Sequence, residues 1–241
     1  MRWQFPSIET ARVQALAGAN GISHELAALL CQRGLDNPAE AAAFLDTSLR
    51  DLGDPLALTN MAQAVGLVSD VVRKRGSVFI FGDYDVDGVT STVLLTEFLQ
   101  HFGLHPEHAV PNRLTEGYGL SVGALERALG DQKPDLFIAV DCGTSNAEEV
   151  AWLRERNIHV LVLDHHTSKE ALPQDCVLVN PHVHDPATAP FADLCTVGLV
   201  FKFCHAFLKI HRRENIPAAF NLDLRDFLDL AALGTVADLV P

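Results

Sequence analysis

The sequence predicts an α/β fold with a mostly parallel, five-stranded sheet flanked by helices, preceded by an N-terminal helical region. Short apolar runs alternate with segments of helical periodicity from Ser77 onward. Three of these runs, 79–81, 136–140 and 159–163, are apolar almost throughout, as expected for parallel strands covered on both faces. Residues 8–75 contain no comparable run, so the sheet is predicted to lie entirely downstream.

The N-terminal region, residues 1–75, is predicted to be helical and to precede a second domain over residues 76–241. Apolar residues recur at helical spacing over 24–33, and Gly34 is predicted to end that helix. Asn37 and Pro38 are typical of a cap and a first helical residue, which predicts a helix reaching Leu45. A third helix is predicted over 61–75, where basic residues near the end suit a helix C-terminus.

In the second domain, strands are predicted over 78–82, 108–110, 135–140, 158–163 and 176–179. Helices are predicted between and after them, over 89–102, 121–129, 146–156, 197–210 and 224–233. The alternation implies right-handed crossovers and a mostly parallel sheet. Sheets of this kind bind ligands beyond the carboxyl ends of their strands, so polar residues that directly follow a strand are candidates for function.

The composition limits the possible partners. The chain has 241 residues and a net charge of −13, which argues against a surface that grips a phosphate backbone unaided. Bound divalent cations would reverse the local sign where carboxylates cluster. The five cysteines form no CxxC pair, which excludes a zinc ribbon and predicts reduced thiols in the cytoplasm. The start of the chain has no apolar signal core, and no stretch is long and apolar enough to predict a membrane span.

Carboxylates and histidines follow three of the predicted strands. Asp83, Asp85 and Asp87 follow the first, Asp141 follows the third, and the run Asp164-His165-His166 follows the fourth. Unpaired burial of like charges would be costly, so their convergence predicts a bound cation. In the histidine run, one imidazole is expected to bind metal and the other to face the substrate, with Asp164 orienting a ring.

The first group of acids also fits two other kinds of site. Asp83, Asp85 and Asp87 match half of a calcium loop, but Leu94 stands at the twelfth position, where that loop requires a bidentate glutamate. A phosphatase of the haloacid-dehalogenase type would use Asp85 as a covalent nucleophile. That interpretation stays open, although it gives the Asp164-His165-His166 run no role.

Further residues are candidates for substrate binding. Ser91 lies at the start of a predicted helix, where an anion is favoured, although simple capping explains this position equally well. Arg113 is suited to hold a phosphate and Tyr118 to stack on a base, whereas a pair between Arg113 and Glu116 is the competing interpretation. His182, His184 and the preceding Asn180-Pro181 predict a turn. Asp238, which follows a helix predicted to stop at Gly234, is by itself typical of a solvated loop.

Together these residues resemble the DHH phosphoesterase superfamily, and within it the RecJ-type single-stranded-DNA-specific exonucleases. Four segments carry the resemblance in order: Gly82–Ser91, Val140–Gly143, Asp164–His166 and Gly234–Asp238. Shorter matches at 32–34, 54–55, 116–120 and 180–181 extend it over nearly the whole chain. One departure is Phe81, where many relatives carry a histidine.

The resemblance implies a DHH-type sheet and a two-metal hydrolase. The expected cofactors are two divalent cations, Mn²⁺ or Mg²⁺, and the expected catalytic residues are Asp141, His165 and His166. His166 is expected to contact the scissile phosphate, Asp87 and Asp164 to support the ligands without binding metal, and Arg113 to hold DNA. No protein nucleophile is required when two cations activate a water. The expected metal ligands are Asp83, Asp85, Asp141 (bridging), His165 and Asp238.

The resemblance also implies a role, which is 5′-to-3′ exonuclease digestion of single-stranded DNA in DNA repair and recombination. The expected partners are single-stranded DNA, a single-stranded-DNA-binding protein and a helicase, with a monomeric chain and no membrane. RecJ-type enzymes continue into a DHH-associated domain and an oligonucleotide-binding fold, so this chain is expected to be an N-terminal catalytic fragment. Two alternatives remain open besides the haloacid-dehalogenase type: a DHH-type phosphodiesterase for short oligonucleotides or cyclic dinucleotides, and a non-catalytic, partner-binding relic.

Overall fold

The computed structural model of the protein describes residues 8–49, 52–117, 119–168, 171–187, 189 and 191–240. The chain divides into two compact units, of which the first ends at Gly53 and the second begins at Asp54. The sheet and the candidate site residues belong to the second unit. The domain boundary between residues 75 and 76 stays a prediction.

The described residues of the first unit form three helices, α1 (Thr10–Asn20), α2 (His24–Gln32) and α3 (Pro38–Leu45). Helix α2 begins where the Ser23 hydroxyl accepts a hydrogen bond from the N–H of Leu26, and Asn37 caps α3 in the same way. Helix α1 was not predicted, because only three of its eleven residues are buried. The core of this unit is small and apolar, formed by Val13, Leu16, Ala17, Ala27, Leu30 and Ala41.

The described part of the second unit contains a 3₁₀ turn at Pro55–Ala57, then α4 (Met61–Lys74), and a five-stranded, wholly parallel sheet. Its strand order is β2-β1-β3-β4-β5, which confirms the predicted fold class. The observed β2 lies one residue earlier than predicted. The strands are β1 (Val78–Gly82), β2 (Glu107–Ala109), β3 (Leu136–Val140), β4 (His159–Leu163) and β5 (Val177–Val179).

The described residues of the second unit form six more helices, and two of these differ from their predicted bounds in ways that affect the site. The predicted start at 89 is three residues late for the first of them, because Asp85 caps it by accepting from the N–H of Gly88. The last begins at Leu228 and runs through Gly234, after a 3₁₀ turn at 224–227. The helices are α5 (Val86–His101), α6 (Val122–Leu129), α7 (Ala147–Glu155), α8 (Pro181–His184), α9 (Thr196–Arg213) and α10 (Leu228–Ala237).

The core of the second unit is built on aromatic and aliphatic side chains from strands and helices. On the sheet, the rings of Phe79 and Phe137 stack with centroids 5.9 Å apart. Between α5 and α9, Phe98 meets Phe207 edge-on at 5.4 Å. None of the helices in the described ranges combines the length and apolar character that a membrane span requires.

Helix α10 approaches α5 and α9 closely at Gly234. A Cβ atom at this position would lie 2.6 Å from both Thr90 Oγ1 of α5 and Val197 Cγ1 of α9, so only glycine fits without displacement. The sequence prediction that Gly234 ends the helix was therefore wrong: this glycine is a packing residue inside α10. Its position brings Asp238, at the end of α10, to the carboxyl edge of the sheet.

Candidate metal centre

The register of the sheet places three acids side by side. Gly82 pairs with Val140, and Val140 pairs with Leu163, so β1, β3 and β4 end level with one another. The next residues are Asp83, Asp141 and Asp164, each no more than 1% exposed. Three buried acids at one edge require partners or a cation.

Asp141 occupies the middle of this edge. Its φ of 64° is left-handed, which costs a non-glycine residue roughly 1 kcal/mol. Its Oδ1 accepts a hydrogen bond from Thr196 Oγ1 at 2.8 Å, whereas its buried Oδ2 has no hydrogen-bond partner within the described ranges. Burial, together with repulsion from Asp87 and Asp85, raises the pKa of Asp141 to about 10. Without a cation, this carboxyl therefore holds a proton at neutral pH.

Asp83 and Asp85 approach Asp141 from the loop after β1. The three carboxylates each offer an oxygen within 4.8 Å of the others. Asp83 is fully buried, and neither of its oxygens makes a hydrogen bond of ordinary geometry in the described part of the chain. Burial raises the pKa of Asp83, and the nearby N–H groups of Tyr84 and Gly119 oppose that shift. The loop is tight, since a Cβ on Gly88 would lie 2.5 Å from the carbonyl oxygen of Asp83. A buried carboxylate whose oxygens lack hydrogen-bond partners is expected to bind a cation, which would satisfy both oxygens.

His165 lies between Asp141, which follows β3, and Asp238, which follows α10. Its Nε2 is 3.5 Å from Asp141 Oδ1, 3.7 Å from Asp238 Oδ2 and 3.9 Å from Asp87 Oδ2. This nitrogen has no hydrogen-bond partner among the described residues. Burial lowers the pKa of His165, which favours the neutral imidazole that binds metal.

Asp87 differs from the other acids because the start of α9 engages both of its oxygens. Thr196 N–H donates to Oδ2 at 2.7 Å and Val197 N–H donates to Oδ1 at 2.8 Å. Burial still raises the pKa of Asp87, with the two N–H groups opposing that shift. An acid held in this way serves as a cap for α9, which agrees with a supporting role better than with a primary metal ligand.

Asp164 orients the second histidine. Its Oδ1 lies 2.8 Å from His166 Nδ1, and its Oδ2 accepts from the N–H of Thr144 at 3.0 Å. Burial alone would raise the pKa of Asp164, but these contacts hold it below its usual value, and the same pair raises the pKa of His166. Asn180 donates to both Thr144 Oγ1 and the carbonyl oxygen of His166. The His166 side chain, 41% exposed, is thus held at the open side of the site.

The three residues predicted to bind substrate, Arg113, Ser91 and Tyr118, differ in what the structure shows of them. The Arg113 guanidinium lies over the ring of Tyr84, 5.2 Å from its centroid. Tyr84 belongs to the acid loop, the segment 83–85 that follows β1 and carries Asp83 and Asp85. The alternative partner of Arg113, Glu116, binds Arg127 instead, with Nη2 and Oε2 2.8 Å apart. Ser91 is fully buried within α5, so its predicted contact with substrate is not supported. Tyr118 lies outside the described residues.

The donor set fits divalent cations. Three overlapping groups lie with their ligand atoms within 4.8 Å: Asp83, Asp85 and Asp141; Asp141, His165 and His166; and Asp87, His165 and Asp238. Asp141 and His165 each belong to two groups. Carboxylates with few imidazoles and no thiolate favour Mn²⁺ or Mg²⁺ over softer ions, and the orphaned oxygens of Asp83 and Asp141 give those ions a place to bind.

Two parts of this arrangement were missed by sequence reasoning. Thr196 stands at the start of an apolar helix and gives no signal of its contact with Asp141. The His182 ring lies against the carbonyl oxygen of His165, as the one-turn α8 follows Asn180. The sequence predicted only a turn there, since a four-residue helix has no periodicity to detect.

Comparison with known proteins shows which family model matches this chain and which proteins are similar to it. The model of the DHH family, N-terminal domain, matches residues 77–235. The single-stranded-DNA-specific exonuclease RecJ of Bacillus subtilis (strain 168) is 34% identical over 241 residues, which are 100% of this chain and 29% of that protein. The RecJ of Haemophilus influenzae is 38% identical over 199 residues, 82% of this chain and 34% of that protein. The chain thus spans about a third of the length of these relatives.

Solved structures of RecJ proteins are also similar to most of this chain. A crystal structure of exonuclease RecJ bound to manganese aligns with a TM-score of 0.63 and 32% identity, over 76% of this chain and 44% of that one. The crystal structure of RecJ from Thermus thermophilus in complex with Mn²⁺ aligns with a TM-score of 0.70 and 27% identity, over 97% of this chain and 31% of that one.

Proposed function

The chain belongs to the DHH family, and from that membership we propose that it is the metal-binding catalytic part of a 5′-to-3′ single-stranded-DNA exonuclease. The relatives named for this activity are about three times as long, so the substrate and polarity are inferences for this chain. The family match and the Asp164-His165-His166 cluster both favour the DHH fold over the haloacid-dehalogenase interpretation.

One observation carries the proposal. Asp141 is buried, keeps one oxygen without a partner in the described ranges, and belongs to two of the three ligand groups. A carboxylate shared in this way can bridge two cations, which is the arrangement that two-metal hydrolysis requires. Asp83 and Asp85 would complete one side, and His165 and Asp238 the other.

The remaining residues have roles that follow from their positions. His166, held by Asp164 and partly exposed, would donate a hydrogen bond to a phosphate oxygen; its raised pKa favours the protonated form that does so. Arg113 would contact the DNA strand beside the acid loop. Two divalent cations, when bound, would activate a water and stabilise the charge that develops on the phosphate. Thus the mechanism needs no protein nucleophile.

The test uses purified chain with single-stranded DNA labelled at either the 5′ or the 3′ end. We expect Mn²⁺-dependent release of nucleotides from the 5′ end, and loss of at least about 100-fold of the rate in Asp141→Asn, because the amide lacks the charge and one of the two oxygens of the proposed bridging carboxylate. Asp131→Asn is the matched control, because Asp131 is an exposed acid that precedes β3 at the opposite edge of the sheet. Its activity should equal that of the wild type.

Other outcomes assign the site differently. A strong preference for di- to tetranucleotides or cyclic dinucleotides would favour a phosphodiesterase of the same family. Retained activity in Asp141→Asn would contradict the metal assignment. No metal-dependent hydrolysis of any of these substrates would overturn the catalytic proposal for this chain and favour a partner-binding role.

The setting of this activity is also proposed. A cytoplasmic monomer working in DNA repair and recombination, with a single-stranded-DNA-binding protein and a helicase, is compatible with the single-stranded-DNA-specific exonuclease activity for which the relatives are named and with the absence of CxxC pairs. Residues 76–241 would form the DHH domain. Co-purification of tagged chain with those two proteins, and its sedimentation alone, would check the partners and the monomeric state.

A further inference from the structure

Thr196 connects helix α9 to two acids of the candidate metal centre. Its backbone N–H donates to Asp87 Oδ2 at 2.7 Å, and its side-chain hydroxyl donates to Asp141 Oδ1 at 2.8 Å. Thr196 is fully buried, so water does not compete for either contact. A single residue therefore links the edge of the sheet, the start of α5 and the start of α9.

The position of Thr196 is fixed by its surroundings. Cys195, at the N-cap of α9, makes no side-chain capping bond, and Asp87 takes that role from α5 by accepting from the N–H groups of Thr196 and Val197. The positive end of the helix dipole favours this carboxylate. Farther along α9, Phe207 packs against α5. The hydroxyl is thus presented from a rigid element.

This contact decides which oxygen of Asp141 is available. A carboxylate can turn about its Cβ–Cγ bond, so a donor on one oxygen sets the direction of the other. Here Oδ1 is engaged by Thr196, and Oδ2 remains buried with no hydrogen-bond partner among the described residues. Loss of a partner that orients a metal-binding side chain typically weakens metal affinity about 10- to 100-fold.

We propose that Thr196 is a positioning residue for the candidate metal centre, whose hydroxyl holds Asp141 Oδ1 and leaves Oδ2 available to a cation. The inference rests on the proposed function, because it assumes that divalent cations bind beside Asp141. It assigns the catalytic arrangement a contribution from α9, an element outside all four sequence segments that resemble the family.

The test compares three substitutions of the whole chain by titration calorimetry with Mn²⁺. Thr196→Val keeps the shape and removes the hydroxyl, whereas Thr196→Ser keeps the hydroxyl. Thr96→Val is the matched control, since Thr96 is a buried threonine of α5 whose hydroxyl has no partner in the described part of the chain. We expect Thr196→Val to weaken Mn²⁺ binding about 10- to 100-fold, with the serine variant and the control both close to wild type.

A purely structural role for Thr196 would lower the unfolding midpoint in chelator and leave the Mn²⁺ affinity unchanged, which would overturn the inference. Failure of Thr196→Ser to retain the affinity would overturn it too. If Thr196→Val does not fold, Thr196→Ala replaces it, with the same expected loss. A wild-type chain that binds no Mn²⁺ also contradicts the inference. Normal Mn²⁺ binding with the expected loss in Thr196→Val, but no digestion of DNA, would refute the nuclease proposal alone.

Discussion

The packing of Gly234 can be tested with a single methyl group. Replacement by alanine would place a Cβ 2.6 Å from Thr90 Oγ1 and from Val197 Cγ1, and 3.1 Å from Asp87 Oδ1. Ordinary contacts of this kind begin near 3.4 Å, so α10 must move away from α5 and α9. Because Asp238 directly follows α10, the same movement would displace it from the site.

The expected cost follows from two opposing terms. Adding a methyl group to a packed interior costs about 1–3 kcal/mol. Alanine is a better helix former than glycine by about 1 kcal/mol. The net result for Gly234→Ala is a loss of roughly 0–2 kcal/mol in the free energy of unfolding. The propensity term has to be separated before the packing term can be measured.

Substitution of Gly66 by alanine measures the effect of helix propensity without a packing cost. Gly66 lies inside α4 in the same unit, and a Cβ there would meet nothing within 4 Å, so Gly66→Ala should stabilise by about 1 kcal/mol. The difference between the two variants in urea unfolding therefore isolates the packing cost of about 1–3 kcal/mol. Equal stabilisation by both substitutions would refute the close approach of α10. Weaker Mn²⁺ binding in Gly234→Ala alone would connect the packing to Asp238.

Three further predictions concern protonation and burial. In chelator, the raised pKa of Asp141, about 10, means that the folded chain keeps a proton which the unfolded chain loses above about pH 4. The free energy of unfolding of the wild type should then fall as pH rises. The stability of Asp141→Asn relative to the wild type should therefore increase by up to about 1.4 kcal/mol per pH unit, and parallel pH profiles of the two proteins would contradict this. Asp164→Asn should lower the pKa of His166, which the carboxylate raises, and an unchanged imidazole titration by NMR would argue against the contact. The thiols of Cys142 and Cys204, buried and with raised pKa values, should react with a thiol reagent only as fast as the protein unfolds; rapid labelling of either in the native protein would contradict their burial.

The sheet was predictable because its strands carry their burial in the sequence. The run Leu136–Val140 is apolar at every position, and all five residues are buried on the central strand β3. Helix α1 was missed for the opposite reason, since only Val13, Leu16 and Ala17 of its eleven residues are buried. Its place in the small core depends on α2 and α3, which local periodicity does not report.

The candidate site also contains some residues that the sequence predicts and some contacts that it does not. Asp83, Asp141 and Asp164 could be predicted from the residues alone, because parallel strands that end level with one another bring their next residues together. The contact between Thr196 and Asp141 joins positions 55 residues apart, and no pattern near either residue indicates it. The burial of Ser91 was also not predicted, since the helix start faces inward at that position.

Asp238 shows why one ligand differs from the rest. Considered alone it was an ordinary loop acid, and only its resemblance to a family motif suggested a ligand. The strand-end acids are fixed by the register of backbone hydrogen bonds, but Asp238 reaches His165, 3.7 Å away, only because α10 packs closely at Gly234. Its contribution to metal binding should therefore depend on helix packing as well as on its own carboxylate. On this reasoning, metal affinity in this chain is sensitive to substitutions at Gly234, Thr90 and Val197, none of which is expected to touch a cation.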